Sequence, residues 1–123
     1  MVPCSRFALL LLSLVLLDAC SSTTIFLRPA LDTPIQHVEN GHNLLSRGKI
    51  DAAHAEFVRA RSLADDYAPA YVGLALIQGY RGDVDGGLKT LARARRLADT
   101  PDDVDAVNRG YDRLRQMQSA VDN

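Results

Sequence analysis

Two stretches of the chain, RGKIDAAHAEFVRARSLAD at residues 47–65 and RGDVDGGLKTLARARRLAD at residues 81–99, resemble each other at a spacing of 34 residues. Nine of the nineteen aligned positions are identical. A fixed period of this length is typical of proteins built from tandem structural repeats, in which each unit buries its apolar face against the next. The repeat therefore predicts a short solenoid.

Each unit is predicted to form two helices joined by a tight turn. Thr33 followed by Pro34 is typical of a helix start, and Gly48 and Gly82 suit the turns because glycine adopts backbone conformations that other residues avoid. In the second helix of the first unit, apolar side chains recur at spacings that place them on one face: Ala53, Phe57, Ala60 and Ala64. The predicted fold is all-α, with repeat units at 34–67 and 68–101.

A further helix is predicted to close the solenoid over residues 102–123. Thr100 and Pro101 are typical of a helix start, and the two acidic residues that follow favour the positive end of a helix. Apolar residues then recur at helical spacing: Val104, Val107, Tyr111, Leu114 and Val121. A terminal repeat needs such a cap, with one apolar and one polar face.

The period and the residues at its fixed positions resemble the tetratricopeptide repeat (TPR) family. The family's first-helix motif is similar to two segments of this chain: His37-x-x-Asn40-Gly41-x-x-Leu44 and Tyr71-x-x-Leu74-Ala75-x-x-Gln78. Its second-helix motif is similar to Ala53-x-x-x-Phe57, and Ala60 and Ala94 stand where TPR helices pack closest. Asp65 and Asp99 stand where the family usually has proline.

The resemblance implies that a protein or peptide partner binds in a concave groove lined by the first helix of each unit. The residues at the corresponding positions are Val38, His42, Leu45, Val72, Leu76 and Tyr80, with Arg113 at the cap end. Tyr80 is the strongest candidate, because its ring offers contact area while its hydroxyl stays hydrated. TPR proteins that clamp a peptide carboxylate carry Lys and Asn where Val38 and His42 stand, so that clamp is absent. Core packing is the alternative for each of these groove residues, above all for Val38 and Val72.

The first nineteen residues are predicted to be a signal peptide. The segment from Phe7 to Leu17 is apolar except for Ser13; it is too short for a bilayer-spanning helix, which needs about 20 residues, but typical of a secretory signal. Leu17-Asp18-Ala19-Cys20 is similar to the lipobox of bacterial lipoproteins, which implies that Cys20 is lipidated and that residues 20–33 form a tether. Ser21 and Ser22 follow Cys20 in this chain. Resemblance to Gram-negative lipoproteins with serine instead of aspartate after the cysteine implies that the protein is located at the periplasmic face of the outer membrane.

The overall charge and the motif content narrow the function further. With 14 basic and 15 acidic side chains in 123 residues the formal net charge is −1, which does not favour nucleic-acid binding. The spacing of His37, His42 and His54 matches no metal site, and no nucleophile or phosphate-binding motif is present. The sequence therefore predicts neither an enzyme nor a metal or cofactor.

The predicted function is a lipid-anchored interaction module, acting as a scaffold or assembly factor for an envelope complex such as a pilus, secretion or polysaccharide-export machine. The alternative is a regulatory adaptor that binds and positions a cell-wall or envelope enzyme. A homo-oligomer is compatible with both, since about three repeats are usually needed for stability. The second helices carry a basic cluster, interpreted as a solvated outer face or as a contact for membrane head groups: Arg59, Arg61, Arg93, Arg95 and Arg96.

Overall fold

The computed structural model describes residues 32–122, which form five α-helices. These are α1 (Pro34–Ser46), α2 (Ile50–Leu63), α3 (Ala68–Tyr80), α4 (Val84–Leu97) and α5 (Pro101–Val121). The all-α prediction is confirmed: α1 with α2 and α3 with α4 form two successive hairpins, and α5 follows. The predicted signal peptide at 1–19, Cys20 and the predicted tether up to residue 31 lie outside the described residues.

Two glycines form the turns inside the hairpins. Gly48 has φ 71° and Gly82 has φ 87°, in the left-handed region that favours glycine. At the first turn the amide of Gly48 donates to the carbonyl of Leu45, and the amide of Lys49 donates to the carbonyl of Leu44, both at 3.0 Å. This pair of bonds is the Schellman motif, which satisfies the last carbonyls of a helix. The same pair recurs at Gly82, so the two turns are equivalent.

The starts of α1 and α5 use the caps expected from their sequences. The Thr33 hydroxyl accepts a hydrogen bond from the Gln36 amide at 3.2 Å. At α5 the Thr100 hydroxyl accepts from the Asp103 amide at 3.1 Å, while the Asp103 carboxylate accepts from the Thr100 amide at 3.4 Å. This reciprocal capping box satisfies amides that the helix itself leaves unpaired.

Helix α3 is the centre of the fold and packs against all four other helices. Every residue from Ala70 to Ile77 is buried, as expected for a helix that is apolar around its whole circumference. One part of its surface joins a core cluster with α1 and α2, and the other part joins a second cluster with α4 and α5. The two hairpins therefore share α3 as a common core element.

The first cluster is built around the fully buried ring of Phe57. The ring lies between Gly41 on α1 and Gly73 on α3. A Cβ added at Gly41 would lie 2.6 Å from Cε1 of the ring, and one added at Gly73 would lie 2.2 Å from Cδ1. Both distances are well inside van der Waals contact, so α1 and α3 close on the ring because neither position carries a side chain.

In the second cluster the side chain of Leu114 from α5 is fully buried and packs against residues of α3 and α4. A Cβ added at Gly79 would lie 2.4 Å from its Cδ2, and one added at Gly87 would lie 2.9 Å from its Cδ1. Leu114 thus inserts between α3 and α4. Val104 and Val121, expected on the same buried face, are 46% and 80% exposed. They lie in the first and last turns of the 21-residue α5, on either side of its buried residues Val107, Gly110 and Leu114.

Four side chains tie the start of α1 to α2, and we refer to Asp32, His37, Glu56 and Arg59 as the Asp32 cluster. Nδ1 of His37 lies 2.7 Å from Oε2 of Glu56, and its Nε2 lies 2.8 Å from Oδ1 of Asp32. The guanidinium of Arg59 donates two hydrogen bonds to the Asp32 carboxylate. An imidazole with a carboxylate at each ring nitrogen donates to both only when it is protonated.

The stability contributed by the Asp32 cluster is expected to depend on pH. Burial lowers the pKa of His37, but the Asp32 and Glu56 carboxylates outweigh it, so the pKa lies above its usual 6.5. The contribution of His37 is therefore complete below about pH 6.5 and is lost as pH rises through the folded-state pKa. Hydrogen bonds from Arg59 and His37 lower the pKa of Asp32 to about 2, so its contribution is complete above about pH 4 and is lost as pH falls towards 2.

Urea unfolding across this pH range tests the cluster. The difference in unfolding midpoint between the wild type and His37→Gln is expected to be largest near pH 5.5 and to shrink by pH 8.5. His54→Gln is the matched control, because it removes from α2 an imidazole that takes no part in the cluster. A wild-type advantage over His37→Gln that stays constant across this range would contradict the prediction.

Candidate protein-binding groove

A groove of about 240 Å³ lies between α1, α3 and α5. It is lined by His42 of α1, Val72 and Leu76 of α3, and Ala106, Arg109, Gly110 and Arg113 of α5. Val72 and Leu76 are buried and form an apolar floor, while Arg109 and Arg113 are exposed along one wall. We call this site the α1–α3–α5 groove. It brings together four of the seven residues predicted for the binding groove: His42, Val72, Leu76 and Arg113.

The other three predicted groove residues are placed differently. Val38 is buried and packs in the first core cluster, so the core alternative describes its position. The core alternative also applies to Val72, which is buried in the second core cluster while forming part of the groove floor. Leu45 is partly buried and packs against both core clusters, which makes it a link between the hairpins. Tyr80 lies at the end of α3 with 41% of its surface exposed, and it adjoins the groove through its contact with Arg113.

Tyr80 and Arg113 form a pair between α3 and α5. The Arg113 guanidinium donates a hydrogen bond to the Tyr80 hydroxyl at 2.9 Å, and its central carbon lies 5.8 Å from the centroid of the Tyr80 ring. A second donor of the same guanidinium reaches Oε1 of Gln116 at 3.3 Å. Arg113 is therefore held in place at the groove before any partner arrives, which lowers the entropic cost of a bond to an incoming acceptor.

His42 is the groove residue contributed by α1. Its ring meets the Phe57 ring edge-on, with 5.2 Å between centroids and an interplanar angle of 71°. The residue as a whole is nevertheless exposed to solvent. Burial against its neighbours and the positive charge of Arg109 lower the pKa of His42 below its usual 6.5, so the ring is neutral at pH 7. The positive charge of the groove at neutral pH therefore comes from its arginines.

Arg109 and Gly110 were missed by the sequence prediction. Arg109 precedes Arg113 by four residues and so lies on the same face of α5, a signal that was available once Arg113 had been assigned to the groove. Gly110 acts by its size: a Cβ there would lie 2.8 Å from Cδ2 of Leu91 and 3.4 Å from Cγ1 of Val72. The missing Cβ at Gly110 therefore lets α5 pack closely against Leu91 of α4, with Val72 of α3 at contact distance.

No family model, curated protein or solved structure matches the chain. Function therefore has to be inferred from the chemistry of the groove. Among residues 32–122, no group of His, Cys, Asp or Glu side chains is arranged to hold a metal ion. In the same part of the chain, none of the helices combines the length and the apolar character needed to cross a bilayer.

Proposed function

We propose that this protein is a lipid-anchored, TPR-like interaction module that holds a segment of an envelope protein in the α1–α3–α5 groove. The observation that carries the proposal is the groove itself, in which three helices combine an apolar floor with two arginines on one wall. The TPR assignment is supported by the helix starts, since α1 and α3 begin at residues 34 and 68, and α2 and α4 at residues 50 and 84.

The groove's chemistry defines the segment that it would hold. Val72 and Leu76 suit an aliphatic side chain, whose burial gains about 25 cal/mol for each Å² of apolar surface removed from water. Arg109 and Arg113 suit a carboxylate, which accepts charge-assisted hydrogen bonds from guanidinium groups. The proposed ligand is therefore an extended peptide segment in which an aliphatic residue stands beside an acidic residue or a terminal carboxylate.

The proposed anchor limits where such a partner can be met. Cys20 precedes Asp32, the first described residue, by twelve positions. A fully extended chain of that length spans at most about 40 Å. With a lipid on Cys20 the groove would therefore work close to the membrane surface, which suits a scaffold of an envelope complex.

Selection from a displayed library of random heptapeptides against the purified full chain tests the groove. The selected peptides are expected to be enriched in Leu, Ile or Val next to Asp or Glu. Their dissociation constants, measured by fluorescence anisotropy, are expected to rise about tenfold or more in Arg109→Ala/Arg113→Ala, because each hydrogen bond to a charged group contributes about 1.5–3 kcal/mol.

The matched control is Arg95→Ala/Arg115→Ala, which removes two arginines from α4 and α5 outside the groove. Equal weakening in this control, or full binding by the groove variant, would refute the proposed site. The lipid anchor is tested separately by growing cells with a labelled fatty acid. The Cys20→Ser variant is expected not to incorporate the label. Labelling that persists in Cys20→Ser would remove the anchor from the proposal and leave the groove untouched.

A further inference from the structure

A second groove, of about 560 Å³, lies between α2 and α4 with α3 as its floor. Its apolar floor is formed by buried side chains of α3: Tyr71, Leu74 and Ile77. At 3.6 residues per turn, Leu74 and Ile77 lie on the opposite face of α3 from Val72 and Leu76. This site, which we call the α2–α3–α4 groove, is therefore separate from the groove of the proposed function.

The walls of the α2–α3–α4 groove are strongly basic. Five basic side chains line it, all of them exposed: Arg61, Arg81, Lys89, Arg93 and Arg96. The lining contains no Asp or Glu. Within residues 32–122, Arg81 is the one member of the five that forms an ion pair, with Asp51 at 2.8 Å. The other four form no ion pair with a carboxylate of the described residues, in a protein whose formal net charge is −1.

The cations are spread along the groove instead of converging on one point. At one end the guanidinium of Arg93 lies 4.7 Å from the centroid of the Tyr71 ring, and at the other end Arg81 pairs with Asp51 at the start of α2. Tyr71 and Arg81 are separated by about 15 Å along a helix axis. An extended peptide covers that distance with about four or five residues.

Favourable interactions with helix dipoles explain the positions of only some of these basic side chains. Arg61 and Arg96 lie in the last turns of α2 and α4, where a cation stabilises the negative helix end. Lys89 and Arg93 lie further inside α4 and face the groove across from α2. The helix dipole does not account for these two cations, and Arg93 is held beside the apolar floor by its contact with Tyr71.

We propose that the α2–α3–α4 groove binds an acidic peptide segment of a partner protein, with carboxylates along both walls and an aliphatic side chain over Leu74 and Ile77. Charge complementarity selects the acidic segment, and the apolar floor selects its aliphatic residue. The trench shape favours a peptide over a lipid surface, because a flat bilayer contacts only the ridges formed by α2 and α4. With two grooves on opposite faces of α3, the protein would bridge two partner segments.

Fluorescence anisotropy with the labelled hexapeptide EELLEE and the full chain carrying Arg109→Gln/Arg113→Gln, in a non-ionic detergent, tests this site. This background is used because the arginines of the α1–α3–α5 groove are proposed to hold a similar sequence. Binding is expected to weaken about tenfold in Lys89→Gln/Arg93→Gln, since each change removes a charge-assisted contact, and to weaken as NaCl rises from 0.05 to 0.5 M. The neutral peptide QQLLQQ is expected to bind at least about tenfold more weakly than EELLEE. Lys89→Gln alone, which leaves the contact of Arg93 with Tyr71 in place, is expected to retain the wild-type unfolding midpoint and still weaken binding.

Two control variants separate this site from the rest of the surface. Arg95→Gln/Arg115→Gln removes two arginines outside the groove, and Arg109→Gln/Arg113→Gln removes those of the α1–α3–α5 groove. In the Arg109→Gln/Arg113→Gln background, Arg95→Gln/Arg115→Gln is expected to leave EELLEE binding unchanged, and weakening equal to that in Lys89→Gln/Arg93→Gln would overturn the proposal. Failure of the background itself to bind EELLEE would assign the peptide to the α1–α3–α5 groove and would equally overturn it. Displacement of the peptide by phosphatidylglycerol-containing micelles, but not by phosphatidylcholine micelles, would assign the groove to lipid head groups and also overturn it.

Discussion

Alanine at position 73 is expected to lower the free energy of unfolding by about 2 kcal/mol, although alanine is the better helix former. The gain in helix propensity over glycine is about 0.5–1 kcal/mol, whereas overpacking a buried site costs about 1–3 kcal/mol and occasionally more. The added Cβ would lie 2.2 Å from the Phe57 ring, and the ring cannot retreat because Gly41 holds its other side at a distance that leaves no room for a Cβ. For a domain of this size, the melting temperature is expected to fall by about 10 °C.

A double-mutant cycle with Phe57→Leu tests whether the Phe57 ring causes this loss of stability. Leucine is chosen because Leu91 stands at the equivalent position of the second unit. Once the ring is gone, Gly73→Ala is expected to cost much less than in the wild type, giving a coupling energy of about 1 kcal/mol or more. Gly48→Ala is the control: it forces a residue with a Cβ to φ 71° but meets no atom within 4 Å. The cost of Gly48→Ala is expected to be independent of Phe57→Leu. Additive effects of Gly73→Ala and Phe57→Leu would disprove the close packing of α1 and α3 on the Phe57 ring.

Truncation of Leu114 to alanine is expected to cost about 2–5 kcal/mol, the range for deleting a buried leucine. Leu114 is fully buried and occupies the space left by Gly79 and Gly87. Loss of this contact loosens α5, which carries Arg109 and Arg113 of the α1–α3–α5 groove. Urea unfolding measures the cost, and hydrogen exchange is expected to show faster exchange in α5 than in the hairpin of α1 and α2.

Val121→Ala is the matched change on the same helix. Its side chain is 80% exposed, so the free energy of unfolding is expected to change by no more than about 0.5 kcal/mol. If Leu114→Ala proved as mild as Val121→Ala, or if exchange rose equally in all five helices, α5 would not be fastened by Leu114.

Much of the fold could be predicted because its signals are local. Gly48 and Gly82 lie in equivalent turns because the 34-residue period carries the turn residue with it, and Phe57 stands on the apolar face that its helical spacing indicated. The roles of Gly41 and Gly73 could not be read in this way. They depend on which ring α1 and α3 meet, and periodicity within one helix does not contain that information.

The site was predictable only in part for the same reason. Helical spacing and the TPR resemblance placed His42, Val72 and Leu76 on inward-facing positions, but they did not determine how α5 would cover them. In the structure α5 contributes Arg109 to the groove, while Val38 lies in the core. The signal peptide, the lipid on Cys20 and the outer-membrane location stay predictions, since they concern residues outside the described part of the chain.

The shared use of α3 means that the repeat visible in the sequence is not the unit that folds cooperatively. A peptide of residues 34–67 would contain one complete repeat, yet its Phe57 ring would lack the wall that Gly73 provides from the next repeat. The smallest set of helices that encloses that ring is α1, α2 and α3, and the set that encloses Leu114 is α3, α4 and α5. Each set therefore extends one helix beyond the pair that it shares with a sequence repeat, and a cut between α2 and α3 would divide the set around Phe57 while leaving the set around Leu114 intact.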